Sequence, residues 1–172
     1  MIDHARHVLT PLPRGGFTIS AEGAEAIRAV PGPEGWTVDG PEPVSGWRLT
    51  RSGTGGRRFR LRGPAGETER GESSSIPGSG GEGERHLVME DGRVYRILLR
   101  GPEDPRYELL GWETPGAYLT ARPGTDAWTI EAEVASSGLD EIRPLLILFA
   151  AEILDAGARE TSPSAESREP AP

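Results

Sequence analysis

Seven arginines, Arg48, Arg51, Arg57, Arg58, Arg60, Arg62 and Arg70, stand between positions 45 and 70 against two acids, Glu67 and Glu69. That window carries +5 in a chain whose formal charge is −8, which leaves −13 for the remainder. Arg58, Arg60 and Arg62 alternate with Phe59 and Leu61. This is the period of a strand with one apolar face, so the three guanidinium groups share the other face. Together with Arg48 they are the candidate binding residues. A guanidinium row of this kind holds phosphate, an anionic lipid headgroup or an acidic partner by charge-assisted hydrogen bonds. The plainer reading is a solvated strand face paired with acids of the same chain, Glu131 and Glu133 among them. Nucleic acid is not expected, because the overall field is acidic and few aromatic residues interleave with the arginines.

Other chemistry-bearing residues form no constellation. His4 and His7 have i, i+3 spacing, which presents two imidazoles to a metal only on a helix, and no third ligand is near. His86 would need an orienting acid and a nucleophile to act as a base, and the sequence points to neither. The strings Gly53-Thr54-Gly55-Gly56 and Gly78-Ser79-Gly80-Gly81 lack the Lys-Ser/Thr ending of a phosphate-binding loop. Asp91, Glu103, Asp104 and Glu108 fall in loops or on outward positions rather than as a facing pair. No catalytic residue, metal site or cofactor is therefore expected. The expected function is a non-enzymatic binding or interaction module, with a small hydrophobic-ligand or lipid-binding barrel with an internal cavity as the alternative.

The chain of 172 residues suits one domain with tails. It holds 24 glycines and 16 prolines, which favours a turn-rich β fold. Cysteine is absent, removing disulfides, thiol chemistry and cysteine metal sites together. Lysine, asparagine and glutamine are absent as well, and all 19 basic residues are arginine, the bias of GC-rich coding DNA in a bacterial genome. The N-terminus lacks the apolar centre of a secretory peptide. The apolar core of the late helix, residues 144–154, falls short of the roughly 20 residues needed to cross a bilayer. A cytoplasmic protein without a transmembrane segment is expected, its oligomeric state open.

The elements that must position the arginines are short alternating strands. Ten are readable: around Phe17 and Ile19, then residues 24–30, 35–38, 46–50, 57–62, 86–89, 93–99, 106–110, 117–121 and 127–134. Asp91-Gly92 between two such runs predicts a hairpin. The last strand is the cleanest, with Trp128, Ile130, Ala132 and Val134 on one face. Residues 139–156, LDEIRPLLILFAAEILDA, then turn apolar on every side of a helix, so that helix must be enclosed rather than packed along one stripe. A capping box from Ser137 to Asp140 is expected to start it and Gly157 to stop it. The strands are the only material for a container. The fold expected is mainly β, a closed or nearly closed antiparallel barrel of about 10–12 strands around a buried C-terminal helix. Its domain spans residues 15–156, with a flexible segment at 1–14, a long mobile loop at 63–84 and a disordered tail at 157–172.

Five segments, FTISAEGAEAI (17–27), HLVMEDGRVYRI (86–97), YELLGWETPGAYLTA (107–121), AWTIEAEV (127–134) and PLLILFAAEIL (144–154), carry a family likeness. In this order of hairpins, Trp-bearing strand and apolar helix, the chain resembles the tubby C-terminal-like superfamily, most closely its LURP-one-related and phospholipid-scramblase-like branch. The resemblance implies a twelve-stranded barrel threaded by its hydrophobic helix. Functionally it implies phosphoinositide binding at a membrane, as in tubby-like proteins, or a lipid-related role. The chain lacks a lysine cluster, a calcium-loop pattern and an acylatable cysteine, so no family binding residue carries over to a numbered position.

Overall fold

The chain folds into twelve strands, most of them alternating apolar and polar residues: β1 (Ile2–Pro11), β2 (Phe17–Ala21), β3 (Ile27–Gly32), β4 (Gly35–Asp39), β5 (Arg48–Ser52), β6 (Arg58–Arg62), β7 (Glu69–Ser75), β8 (Arg85–Met89), β9 (Val94–Arg100), β10 (Arg106–Gly111), β11 (Ala117–Pro123) and β12 (Trp128–Ala135). One helix, α1 (Leu139–Thr161), follows. The computed structural model describes residues 2–22, 25–42, 44–52, 58–64, 69–75, 85–101, 103–111, 117–135 and 139–161. Each strand pairs antiparallel with its neighbours in sequence, and β1 closes the ring on β12. The expected barrel around a C-terminal helix is the architecture found. At the Asp91-Gly92 hairpin, Gly92 takes φ 87° and the Asp91 carboxylate accepts from the Arg93 amide at 2.9 Å. Only glycine enters that region at little cost.

Helix α1 fills the bore. Every side chain from Leu145 to Ile153 is buried, and the enclosing wall presents Leu9, Phe17, Ile19, Ala29, Val38, Leu49, Leu61, Leu87, Leu109, Leu119 and Ile130. Each large side chain taken out of water contributes roughly 1.5–3 kcal/mol, which holds an all-round apolar helix inside rather than beside the sheet. The helix lies nearest β6 and β7. It starts at the mouth that carries the β4–β5 connection, where the Arg143 Nη1 donates to the Glu42 carbonyl at 2.9 Å. Its C-terminal part reaches the opposite mouth, where Asp155 meets Arg51.

Three expectations need correction. Residues 2–11 of the segment taken as flexible form β1, which supplies the seam of the barrel. Its inward row includes His7 while Val8 faces out, so the apolar alternation is inverted midway. Residues 69–75, taken as part of a mobile loop, form β7. Its ladder to β8 sets Gly71, Ser73 and Ser75 opposite the inward-facing Met89, Leu87 and Arg85, a row with no apolar residue to read. The helix runs past Gly157 to Thr161 instead of stopping. A helical glycine costs only about 1 kcal/mol relative to alanine, and the helix formers Ala158, Arg159 and Glu160 follow it. Residues 65–68, 76–84 and 162–172 of the 63–84 and 157–172 readings, and the Ser137 cap, lie outside the described residues.

Candidate functional site: the arginine face and the buried ionic cluster

Strands β5 and β6 fix which arginines face outward. Leu49 opposes Leu61 and Arg51 opposes Phe59 on the inner side; Arg48 opposes Arg62 and Thr50 opposes Arg60 on the outer, and Ser52 pairs with Arg58 in the same ladder. Thr37 of β4 stands beside Arg48 in the next ladder. Outward, β7 brings two carboxylates against this row. Arg60 Nη2 meets Glu69 Oε2 at 3.0 Å and its Nε lies 3.8 Å from Glu72, while Arg62 Nε lies 3.4 Å from Glu69. The acids that answer these arginines therefore come from β7, a strand missed in the sequence because its inner row is small and polar. Glu131, expected among them, pairs instead with Arg6 at 3.3 Å.

Other members of the basic window are drawn away. Arg51 points inward, donates to Asp155 at 2.8 Å and sits over the Phe59 ring at 5.2 Å. Arg70 stacks over Trp47 at 5.1 Å and pairs with Glu90 at 2.9 Å. Arg48 differs from all of these: it is exposed and makes no ion pair among the described residues. It lines a surface depression of about 310 Å³ with Thr37, Thr50, Trp36 and Glu34. A guanidinium flanked by two threonines offers a phosphate or carboxylate charge-assisted donors beside neutral ones.

Inside the exit mouth lies a second polar group that the sequence signals only by Glu152 and Asp155 on an otherwise apolar helix. Glu152 accepts from Ser73 Oγ and from Arg85 Nη1, the Ser73 oxygen in turn accepts from the Phe59 amide at 3.1 Å, and Arg85 also reaches Asp155 at 3.3 Å. Arg51, Arg85, Glu152 and Asp155 thus balance in charge. The Glu152 side chain is 1% exposed and that of Arg85 9%. Burial pushes the Glu152 carboxyl up, with Arg85 and Ser73 opposing that rise. For Arg85, burial pulls the guanidinium down, but the Glu152 and Asp155 carboxylates outweigh it and hold it up. With its polar atoms paired in this way, the cluster fastens α1 to β5, β7 and β8.

Of the histidines, His7 is buried on the inner face, its Nδ1 has no partner among the described residues, and burial holds its imidazole below the ordinary range. His86 is buried on β8, and the His4 side chain lies outside the described residues. No group of three His, Asp or Glu residues suited to a metal ion occurs among the described residues. Likewise among the described residues, no helix is long and apolar enough to cross a membrane. In comparisons with known proteins, no family model, curated protein or solved structure matches the chain.

Proposed function

We propose that this chain is a non-enzymatic binding module, a barrel of the tubby-like kind, that docks an anionic headgroup on the outer face of β4, β5 and β6. The observation that carries this reading is Arg48: an exposed guanidinium, unpaired among the described residues, in a depression bordered by Thr37 and Thr50. Arg60 and Arg62 extend the face but spend their charge on Glu69 and Glu72, so they support the field around Arg48 rather than define the contact. Arg58 stands opposite Ser52 in the β5–β6 ladder, and its side chain lies outside the described residues. Twelve strands threaded by an apolar helix also agree with the architecture that the family resemblance implies.

Sedimentation with phosphoinositide-containing vesicles at two salt concentrations tests the reading. Binding is expected to weaken as salt rises. Arg48→Glu is expected to reduce it about tenfold, the loss of one charge-assisted contact with repulsion added. Arg60→Gln and Arg62→Gln are expected to have smaller effects, because Glu69 and Glu72 already neutralise those guanidinium groups. Sedimentation indifferent to Arg48→Glu overturns the proposal, and binding to an acidic peptide but not to vesicles reassigns the face to a protein partner.

A further inference from the structure

A separate concavity opens at the exit mouth, on the β9–β12 side of the bore, away from the β6 and β7 wall that α1 favours. Its volume is about 540 Å³, and it is bounded by Leu99, Tyr107, Pro123 and Trp128, with Arg100 and Arg106 at the rim. The four apolar residues continue the inner rows of their strands: Leu99 opposes Tyr107, and Pro123 opposes Trp128. Farther in, the same rows hold Ile97, Leu109, Ala121 and Ile130, all buried. At the mouth the cover ends. Leu99 is 46% exposed, the highest value among the exposed large hydrophobic residues described.

The displacement of α1 has a local cause. Glycine at position 71 lets the helix approach β7, where a Cβ would stand 3.0 Å from Leu148 Cδ1, and Ser73 and Arg85 then hold Glu152 on that side. On the β9–β12 side the inner rows are covered as far as Ile97, Leu109, Ala121 and Ile130, and only their ends at the mouth, Leu99 foremost, stand open. The Tyr107 and Trp128 rings lie 5.7 Å apart at 53°, forming a V-shaped aromatic wall.

We infer that this cleft is a binding site for an uncharged, apolar small molecule seated against Trp128, Tyr107 and Leu99. The charge at the rim selects the chemistry. Arg106 meets Asp104 at 2.9 Å and Glu108 at 3.5 Å, and Arg100 reaches Glu108 at 2.5 Å. Both guanidinium groups are paired with carboxylates, which cancels much of the positive charge that the rim would offer an anionic ligand. The cleft volume falls within the range of about 300–1,000 Å³ typical of small-molecule sites, and its lining is apolar and aromatic with few polar groups, as such sites are. The inference is independent of the headgroup reading, which concerns the outer face of β4 to β6.

Titration of the full chain with N-phenyl-1-naphthylamine, an uncharged apolar fluorophore, tests it. One saturable equivalent is expected, with quenching of tryptophan emission and a shift of the Trp128 indole N–H resonance. Leu99→Asp places a carboxylate in the cleft at a half-exposed position, and is expected to weaken binding about tenfold or more. The sulfonated analogue of the same ring body binds correspondingly less well, whereas Arg48→Glu leaves the titration unchanged. Absence of saturable binding, or an affinity indifferent to Leu99→Asp in a variant with native circular dichroism, overturns the site. Equal affinity for the sulfonate overturns the assignment of an uncharged ligand.

Discussion

Glu152 is the single charged residue between Leu145 and Ile153, and the wall around it is built to meet it. A buried ion pair need not stabilise a fold more than a well-packed apolar pair, but removing one partner strands the other. Arg85→Met is therefore expected to lower unfolding free energy by about 3–5 kcal/mol, and Arg85→Met with Glu152→Leu to recover much of the loss, as read by denaturant titration. Equal losses in the single and double variants would show that the pairing is not what matters. His7 sets a second dependence. Its folded-state pKa is depressed by burial, so the unfolded chain binds the proton more readily. Stability on this account is full above the ordinary histidine value of 6.5 and declines as pH falls below it toward the lower folded value. Glu152, raised by burial, acts in the opposite sense: its contribution is present at low pH and lost as pH rises from the ordinary carboxyl value. Comparing wild type with His7→Leu at each pH isolates the histidine. The variant is expected to keep a nearly constant difference from wild type above the ordinary histidine value and to gain relative stability as pH falls below it to 5.5, whereas a pH-independent difference would show that His7 binds its proton equally well in the folded and unfolded chain.

Strand β7 shows why an element can be necessary and still illegible. Strand recognition from sequence depends on a row of apolar side chains, and here the row is Gly71, Ser73 and Ser75 because α1 comes close and needs a hydroxyl for Glu152. The signal vanished for a tertiary reason. Strand β1 failed similarly, with His7 inward and Val8 outward, and Arg51, which the sequence shows only as one charge of the basic window, opposes Phe59 and turns to Asp155. By contrast, the Asp91-Gly92 hairpin, the alternation of β12 and the all-round apolar helix were legible, since each depends on local chemistry alone. The site was partly legible: alternation placed Arg60 and Arg62 outward, but their neutralisation by Glu69 and Glu72 could not be read without β7. Gly71 offers the test at this scale. A Cβ there would meet Met89 Sδ at 2.9 Å and Leu148 Cδ1 at 3.0 Å, both ends of flexible side chains. Gly71→Ala is thus expected to be mild, and Gly71→Val to cost about 1–3 kcal/mol by overpacking. Adding Met89→Ala to Gly71→Val is expected to restore part of that stability in a denaturant titration, and no recovery would locate the strain elsewhere.

At the scale of the molecule, closure rests on the pairing of the first strand with the last. Every other ladder joins strands adjacent in sequence, whereas β1 and β12 meet with Ile2 opposite Ala135 and Leu9 opposite Trp128, a contact that must wait for the rest of the barrel to form. An open β meander has two free edges whose unpaired N–H and C=O groups recruit other strands, and closure alone removes both. Strand β1 also covers part of the helix with the buried Leu9. Deleting residues 1–11 is therefore expected to do more than shorten a terminus. It uncovers the edges of β2 and β12 and part of the apolar core, so the truncated chain is expected to associate through those edges. Size-exclusion chromatography with light scattering at several concentrations reads the outcome: a larger, concentration-dependent mass than that of the full chain supports the seam. A truncated chain with the oligomeric state and thermal midpoint of the intact protein would mean that β12 and β2 close the ring without β1, and the twelve-strand closure would then be unnecessary for stability.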